Sequence, residues 1–270
     1  MSERRLVVNA DDFGFAHDVN RGIIEAHTSG ILTATTLMAN GNAFADAVRL
    51  ARDHPSLDVG CHLVLVQGPS VARAGVELPQ SIPELLAALT TRRFLPYEEL
   101  KPQVDKILQA GIRPLHLDTH KHTHLWPPVL EAVARLSADY KIPWVRRPFD
   151  FPLEAAGIPW PKIAFSNALG AIRSRFHSTL NAYGCRTTDH FAGFRITGSY
   201  RAAELASLIG NLPEGSTEFM CHPGHCSEEL RESATRLKES REVELEALVS
   251  PEVRRALGSS RVKLVRFSEL

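Results

Sequence analysis

The chain has 270 residues, enough for one large α/β domain or two small ones. Its 31 basic and 31 acidic residues give a formal net charge of zero, so no basic excess points to nucleic acid or to an anionic membrane. The sequence has neither an apolar run of ~18 residues nor the apolar core of a signal peptide, so we expect a cytoplasmic protein without an integral membrane segment.

Short apolar runs alternate along the chain with segments of helical spacing. The runs that predict strands are residues 6–12, 31–40, 57–65, 114–120, 142–148, 216–224 and 262–267. The segments that predict helices are residues 20–30, 43–54, 97–111, 127–140, 202–212 and 240–257. Repeated β-then-α units favour parallel strands joined by helical crossovers. We therefore predict an α/β protein with a (β/α) barrel-like fold, either a closed TIM-type barrel or an incomplete or distorted one. An open doubly wound sheet is the alternative.

Two stretches interrupt this alternation. Residues 66–96 and residues 149–196 are long for connections in a compact domain, and loops of this length often form lids or binding segments. We expect both stretches to shape a substrate cleft. The chain has no linker, low-complexity segment or short internal repeat, so we predict a single domain over residues 1–270.

A row of histidines begins within the predicted strand at residues 114–120. Its members, which we call the histidine row, are His116, Asp118, His120, His122 and His124. Alternate side chains share one face of an extended backbone, so this row would aim imidazoles and a carboxylate into one cavity. Both groups suit a divalent cation such as zinc. The acidic pair Asp11-Asp12 closes the first strand and His62 lies in another, so the sequence predicts a hydrolytic metal site.

Reactive side chains follow five of the predicted strands. In a parallel barrel, catalytic residues collect at the carboxyl ends of the strands. The groups at such ends are Asp11-Asp12, His62, the histidine row, Arg146-Arg147 and His222. Any one of them alone would be weak evidence, and it is their conjunction that favours a metal site.

Four segments resemble the YdjC-like carbohydrate deacetylase family, which includes chitooligosaccharide deacetylases and hopanoid-associated proteins. They are VVNADDFGF (7–15), GCHLVL (60–65), HLDTHKHTH (116–124) and MCHPGH (220–225). The likeness extends over nearly the whole chain. It implies a barrel-like fold and a hydrolase that removes the acetyl group from an N-acetylated carbohydrate or glycolipid. It also makes a homodimer plausible.

The same resemblance implies a divalent cation held by Asp12, His62 and His120, with Asp11 as the general base. Magnesium and zinc are the leading ions, and manganese and cobalt are also compatible with these ligands. Adjacent residues of a regular strand point to opposite faces, so this assignment requires the strand to end near Asp11. Gly14 favours a turn at that position.

His222 and one arginine complete the predicted mechanism, in which a water activated by the metal attacks the acetamide carbonyl. His222 is the candidate acid for the leaving amine, because an imidazole can donate a proton near neutral pH. One of Arg146 and Arg147 would face inwards, to orient Asp11 or to bind a sugar group. Strand parity does not decide between the two arginines, and we favour Arg146.

Supporting roles, at the substrate or behind the ligands, are predicted for Asp118, His122 and His124. Further polar candidates for the same rim are Asn9, Thr36 and Asn40. The aromatic candidates for stacking on a sugar ring are Phe94, Trp160 and Phe191.

Three alternative functions stay open at this point. A metal-dependent amidase with a non-sugar substrate would keep the same site. A glycosidase would use two carboxylates such as Asp11 and Asp118, but it would leave the histidines without a role. A metal- or sugar-binding protein without activity would need neither Asp11 nor His222. The sequence also does not choose between a chitooligosaccharide, a glucosaminyl hopanoid and another acetylated amino sugar.

Overall fold

The computed structural model describes residues 3–91, 94–151 and 172–270. Its strands all pair in parallel. They are β1 (Arg4–Phe13), β2 (Ala34–Leu37), β3 (Asp58–Leu63), β4 (His116–Thr119), β5 (Trp144–Val145), β6 (His190–Ala192), β7 (Gly215–Cys221) and β8 (Val262–Leu264).

Helices follow most of the strands. They are α1 (His17–Thr28), α2 (Phe44–Asp53), α3 (Ile82–Thr90), α4 (Pro96–Gln109), α5 (Pro127–Tyr140), α6 (Arg173–Ala182), α7 (Ala202–Gly210), α8 (Glu228–Glu232), α9 (Glu239–Val249) and α10 (Pro251–Ser260). Two 3₁₀ segments cover His120–Leu125 and Phe267–Glu269. Among the described residues, no helix has the length and apolar character needed to cross a membrane.

The sheet curves until its two ends approach each other. Seven strands follow the order β5-β4-β3-β2-β1-β7-β6, and β8 pairs with β1 outside this path. Parallel bridges from Trp144 to Arg186 and from Asp150 to Phe191 join the chain near β5 to the chain near β6. The predicted barrel-like fold is therefore confirmed in its incomplete form, because seven strands close through single bridges rather than through a continuous ladder.

Burial explains why the central strands read as nearly unbroken apolar runs. Leu6, Val7 and Val8 of β1 have no exposed surface, since helices cover one face of the sheet and the barrel interior the other. The helices turn an apolar face inwards, as Val129, Val133 and Leu136 of α5 do.

Several element boundaries differ from the sequence predictions. The strand expected at residues 142–148 contains only Trp144–Val145, although the backbone N–H of Arg146 still donates to Leu117 O. The strand expected at 262–267 ends at Leu264. The stretch at 66–96 contains helix α3, whose Ser81 cap accepts from the N–H of Glu84, a capping signal that the sequence carried.

The second long stretch, at residues 149–196, contains α6 and β6, which were not predicted. Its middle part lies outside the described residues, and so does Trp160. The remaining predicted strands and helices occur where the alternation placed them, within a few residues at each end.

Candidate metal and catalytic centre

A backbone irregularity at Asp12 turns two neighbouring carboxylates into one cavity. Strand β1 continues past Asp11 to Phe13, which pairs with Leu37, so the two carboxylates reach one cavity without an end of the strand at Asp11. The register between β1 and β2 shifts between Ala10 and Phe13, and Asp12 has a φ of 69°. Such a bulge re-aims a side chain without ending the strand, and the left-handed conformation costs about 1–3 kcal/mol in a non-glycine residue.

Three donor atoms lie close together in Asp12, His62 and His120, the residues that the family resemblance implies as metal ligands. Asp12 Oδ1 lies 3.4 Å from His62 Nε2 and 3.4 Å from His120 Nδ1. The two imidazole nitrogens are 3.3 Å apart. Around a tetrahedral cation with bonds of about 2.1 Å, ligand atoms stand about 3.4 Å from one another. One carboxylate and two imidazoles at this spacing therefore fit a small divalent cation and leave room for further ligands.

Asp118 orients the imidazole of His62. Its Oδ1 lies 2.7 Å from His62 Nδ1, and its Oδ2 accepts a hydrogen bond of 3.0 Å from the Thr36 hydroxyl. Burial disfavours the charged imidazole, but Asp118 and Asp12 outweigh it and raise the pKa of His62 to about 10. A proton on Nδ1 directs Nε2 towards the other donors, and a bound cation would replace the proton on Nε2.

Asp11 is held by Arg146 rather than by Arg147. Nη1 and Nη2 of Arg146 donate to the two oxygens of Asp11, each over 2.7 Å, and Asn9 Nδ2 donates to Oδ1 over 3.1 Å. Burial alone would raise the pKa of Asp11, but the Arg146 guanidinium outweighs burial and lowers it. Arg147 lies instead beside a smaller cavity and donates to Asp189 O.

Arg146 also contacts two further acids in the barrel interior. Its Nη1 lies 2.8 Å from Asp118 Oδ2, and its Nε donates to Glu218 Oε1 over 2.7 Å. The side chain has no exposed surface. Asp11, His62 and Asp118 also lie close enough to be a metal-ligand group, but this guanidinium already pairs with both carboxylates and would repel a cation.

His222 directly follows β7 and lies near Asp11. Its Nε2 is 3.9 Å from Asp11 Oδ2. Glu244 of α9 accepts the backbone N–H of His222 over 2.6 Å, and the same oxygen lies 3.9 Å from His222 Nδ1. Helix α1 also packs closely against the segment that follows His222, so closely that a Cβ on Gly22 would lie 2.4 Å from the Cα of Gly224.

The histidine row is not one extended segment. Only His116 and Asp118 lie within β4, because the chain then enters a 3₁₀ turn with positive φ at Lys121 and His122. The expected common face therefore ends at Asp118, and the turn at its end carries His120 to the site. The row supplies one candidate ligand rather than a cluster.

The remaining row members take separate positions. His124 is fully buried, with Nε2 3.0 Å from Arg146 O, and burial lowers its pKa to about 3. His116 Nε2 lies 2.8 Å from Asn9 Oδ1, behind the carboxylate pair. Only His122 of these three lines the cleft, where its ring meets the edges of Phe191 and Phe194.

A cleft of about 680 Å³ opens over these residues. Asp11, Asp12, His62, His120 and His222 all line it. Its walls include both polar and apolar side chains, among them Phe15, Met38, Asn40, Val66, Gln67, Phe194 and Leu237. Both long stretches contribute to its walls, through residues 66–69 and through Phe194. Phe94 and Phe191 are buried and do not line it.

Three buried charged residues were missed by the sequence predictions. Arg241 Nη2 donates to Asp12 Oδ2 over 2.5 Å, Glu244 holds His222, and Glu218 contacts Arg146. Arg241 and Glu244 belong to the buried face of α9 together with Leu245 and Leu248. The sequence did carry one signal: Arg241 and Glu244 occupy positions of this helix whose spacing is that of its apolar face, where charged residues are uncommon.

Comparison with known proteins identifies the family. The sequence profile of the YdjC-like proteins matches residues 5–259. The chain belongs to the YdjC-like family. This YdjC-like protein is 32% identical to a carbohydrate deacetylase of Brevibacillus brevis over 278 aligned positions, covering 98% of this chain and 99% of the relative. It is also 32% identical to a carbohydrate deacetylase of Geobacillus stearothermophilus, with 98% of each chain covered. The family predicted from the four motifs is confirmed.

Solved structures share the fold of this YdjC-like protein. A crystal structure from Enterococcus faecalis, titled "putative cellobiose-phosphate cleavage protein", matches with a TM-score of 0.75 at 24% identity, covering 99% of both chains. A lactam utilization protein from Thermus thermophilus matches with a TM-score of 0.50 at 15% identity, covering 97% of this chain and 99% of that one. At these identities the likeness supports the architecture alone.

Proposed function

We propose that this protein is a divalent-metal-dependent hydrolase that removes N-acetyl groups from an amino sugar of an oligosaccharide or a glycolipid. Membership of a family whose curated relatives are named carbohydrate deacetylases supports the enzyme class. The observation that carries the proposal is the donor triangle of Asp12, His62 and His120, with Asp11 and His222 beside it in one cleft.

Asp12, His62 and His120 would hold the cation, which we expect to be magnesium or zinc. A divalent cation at this position supplies a Lewis acid for the acetamide carbonyl and lowers the pKa of a water molecule. Asp118 would support the ligand His62 without binding the cation, because it orients the ring of His62 and does not line the cleft.

Asp11 is suited to accept the proton of the attacking water. The two terminal nitrogens of Arg146 that donate to Asp11, called the Arg146 fork below, lower the pKa of Asp11 and keep it ionised at neutral pH. The base is therefore present before the substrate binds. The fork also fixes the direction in which the carboxylate faces the cleft. Asp11 thus receives a proton at a position set by Arg146 and Asn9.

His222 is suited to give a proton to the departing nitrogen. It lines the same cleft as the donor triangle, and Glu244 fixes the backbone that carries it. An amine leaves an amide as a poor leaving group, so protonation of the nitrogen accompanies cleavage of the C–N bond. The products are acetate and a free amino sugar. The water gives its oxygen to the acetyl group, and the proton that Asp11 takes from the water balances the proton that His222 gives to the nitrogen.

The cleft favours this reaction over glycoside cleavage. Its volume of about 680 Å³ lies within the usual range of small-molecule sites, and its mixed walls suit a sugar. A glycosidase needs two carboxylates that flank the scissile bond. Asp118, the second carboxylate considered, is fully buried against Arg146 and His62 and cannot flank a bond in the cleft.

An acetate-release assay over N-acetylated amino sugars tests the proposal. The purified protein is treated with a chelator and then supplied with Mg²⁺, Zn²⁺, Mn²⁺ or Co²⁺ alone. We expect acetate and free amine in equal amounts, loss of activity on chelation and recovery with at least one ion. His62→Ala and His120→Ala should lose bound metal, whereas His225→Ala, which replaces a partly exposed histidine, should keep it. Metal content unchanged in both ligand variants would refute the site.

A further inference from the structure

Two neighbouring aspartates are held by two different buried arginines. Asp11 receives both nitrogens of the Arg146 fork, one on each oxygen. Asp12 receives only Nη2 of Arg241, on Oδ2 at 2.5 Å, and its Oδ1 stays with the two imidazoles. The same side-chain type thus engages both oxygens of one carboxylate and a single oxygen of the next.

Arg241 reaches Asp12 from a distant part of the chain and is itself tightly enclosed. Arg241 is 1% exposed, and its Nε donates to Leu237 O over 3.2 Å. The backbone of Gly224 packs against its stem, where an added Cβ would lie 3.1 Å from Arg241 Cδ. A guanidinium confined in this way acts as a fixed donor rather than as a mobile surface charge.

An aspartate with two free oxygens can bind a cation through either oxygen or through both. Occupation of Oδ2 by Arg241 removes two of these three modes. It also opposes rotation of the carboxylate, which sits on a residue with positive φ.

We propose that Arg241 is a positioning residue that restricts Asp12 to one-oxygen coordination and thereby presets the donor triangle. The inference rests on the proposed function in one respect, that Asp12 is a metal ligand. Arg241 lines the cleft, and its role here is to act through Asp12. The contrast with Arg146 explains why adjacent aspartates take different roles: Asp11 has both oxygens in the fork, and only Asp12 has one oxygen facing His62 and His120.

Metal affinity measured without any sugar tests this inference. Arg241→Met and Arg241→Lys are compared with the unchanged protein by competition between Zn²⁺ or Co²⁺ and a chromophoric chelator. We expect Arg241→Met to bind the ion about 10- to 100-fold more weakly, the effect typical of residues that orient ligands. Arg241→Lys, which keeps a cation but not the planar fork, should fall between the two. The visible spectrum of the Co²⁺ form should also change, since the freed Oδ2 alters the coordination.

Arg195→Lys is the matched control, because Arg195 is a buried arginine beside Asp150 rather than beside a candidate ligand. It should leave the affinity and the Co²⁺ spectrum unchanged. Should Arg241→Met fail to fold, Arg241→Lys supplies the same comparison. Folded variants with unaltered affinity and spectrum would overturn the role of Arg241, even if the unchanged protein binds the ion. An unchanged protein that binds no ion would instead overturn the proposed function.

Discussion

Arg146 donates to both carboxylate oxygens of Asp11, and each of these two hydrogen bonds is 2.7 Å long. The same guanidinium also meets Asp118 and Glu218, so one buried cation faces three buried acids. Charges in a protein interior are tolerated when they are paired and hydrogen-bonded. Arg146 therefore has two roles, since it orients the proposed base and pairs with the buried acids of the barrel interior.

Replacing Arg146 by methionine should destabilise the fold strongly. The substitution leaves three buried carboxylates without their common partner, and breaking a buried pair in this way costs about 3–5 kcal/mol. Chemical denaturation of Arg146→Met and of the unchanged protein measures the difference. Arg49→Met is the control, because Arg49 is 62% exposed and its ion pairs should contribute at most about 1 kcal/mol. Equal losses in the two variants would disprove the role of Arg146.

His222→Gln should reduce kcat while leaving metal binding intact. Removal of a general acid typically lowers the rate about 10²- to 10⁴-fold, and His222 is not part of the donor triangle. Steady-state acetate release, with metal content measured on the same preparation, checks both statements. His225→Gln is the matched control, because this partly exposed histidine pairs with Glu25. A His222 variant with unchanged kcat would exclude the imidazole as the proton donor.

The close approach of α1 to the turn after His222 gives a prediction about packing. Gly22→Ala should destabilise the protein by about 1–3 kcal/mol and lower activity, because the new methyl group would overlap the backbone of Gly224. Gly258→Ala, in α10, meets nothing within 4 Å and should stabilise by about 0.5–1 kcal/mol through helix propensity alone. Thermal unfolding of both variants distinguishes the contact from propensity, and a stabilising Gly22→Ala would contradict it.

Glu218 predicts how stability depends on pH. Burial raises the pKa of Glu218 to about 7, beyond the opposing effect of Arg146, from a usual value of 4.5. The folded protein thus keeps this proton at pH values where the unfolded chain has lost it. The contribution of Glu218 to the free energy of unfolding should therefore fall as pH rises from about 4.5 to about 7.

Glu218→Gln removes this contribution, because glutamine does not titrate in that range. Denaturation of the metal-free protein near pH 5 and near pH 8 should show that the free energy of unfolding of the unchanged protein, taken relative to that of Glu218→Gln, is lower near pH 8 than near pH 5. Glu246→Gln, at an exposed position of α9, should leave the pH dependence unaltered. Identical pH profiles for the unchanged protein and Glu218→Gln would contradict the raised pKa.

The gathering of the site residues was predictable because they follow strands. Parallel strands place their carboxyl ends at one edge of the sheet, so the Asp11-Asp12 pair, His62 and the histidine row were expected together. The choice of Asp12, His62 and His120 among them came from the family resemblance. His62 and Asp118 even lie opposite each other in the register of β3 and β4. The alternation of apolar runs and helical segments likewise predicted the barrel-like fold. The single domain over residues 1–270 stays a prediction.

Other features depend on the folded chain and could not be predicted locally. Asp12 takes a left-handed conformation that L-residues seldom adopt, although the chain stays in β1 there. Arg241 is 229 positions from its partner Asp12, and only the packing of α9 against the barrel brings them together. The 3₁₀ turn after Thr119 redirects the histidine row because two non-glycine residues there have positive φ. Each case is set by tertiary contacts rather than by neighbouring residues.

The most direct test of the account is acetate release by Asp11→Asn with bound metal quantified in the same sample. Asparagine keeps the shape of the side chain but cannot accept the proton, and Asp12, His62 and His120 remain in place. We predict full metal occupancy with acetate release reduced by at least about 100-fold. An Asp11→Asn variant that binds the metal and releases acetate at the unchanged rate would contradict the account.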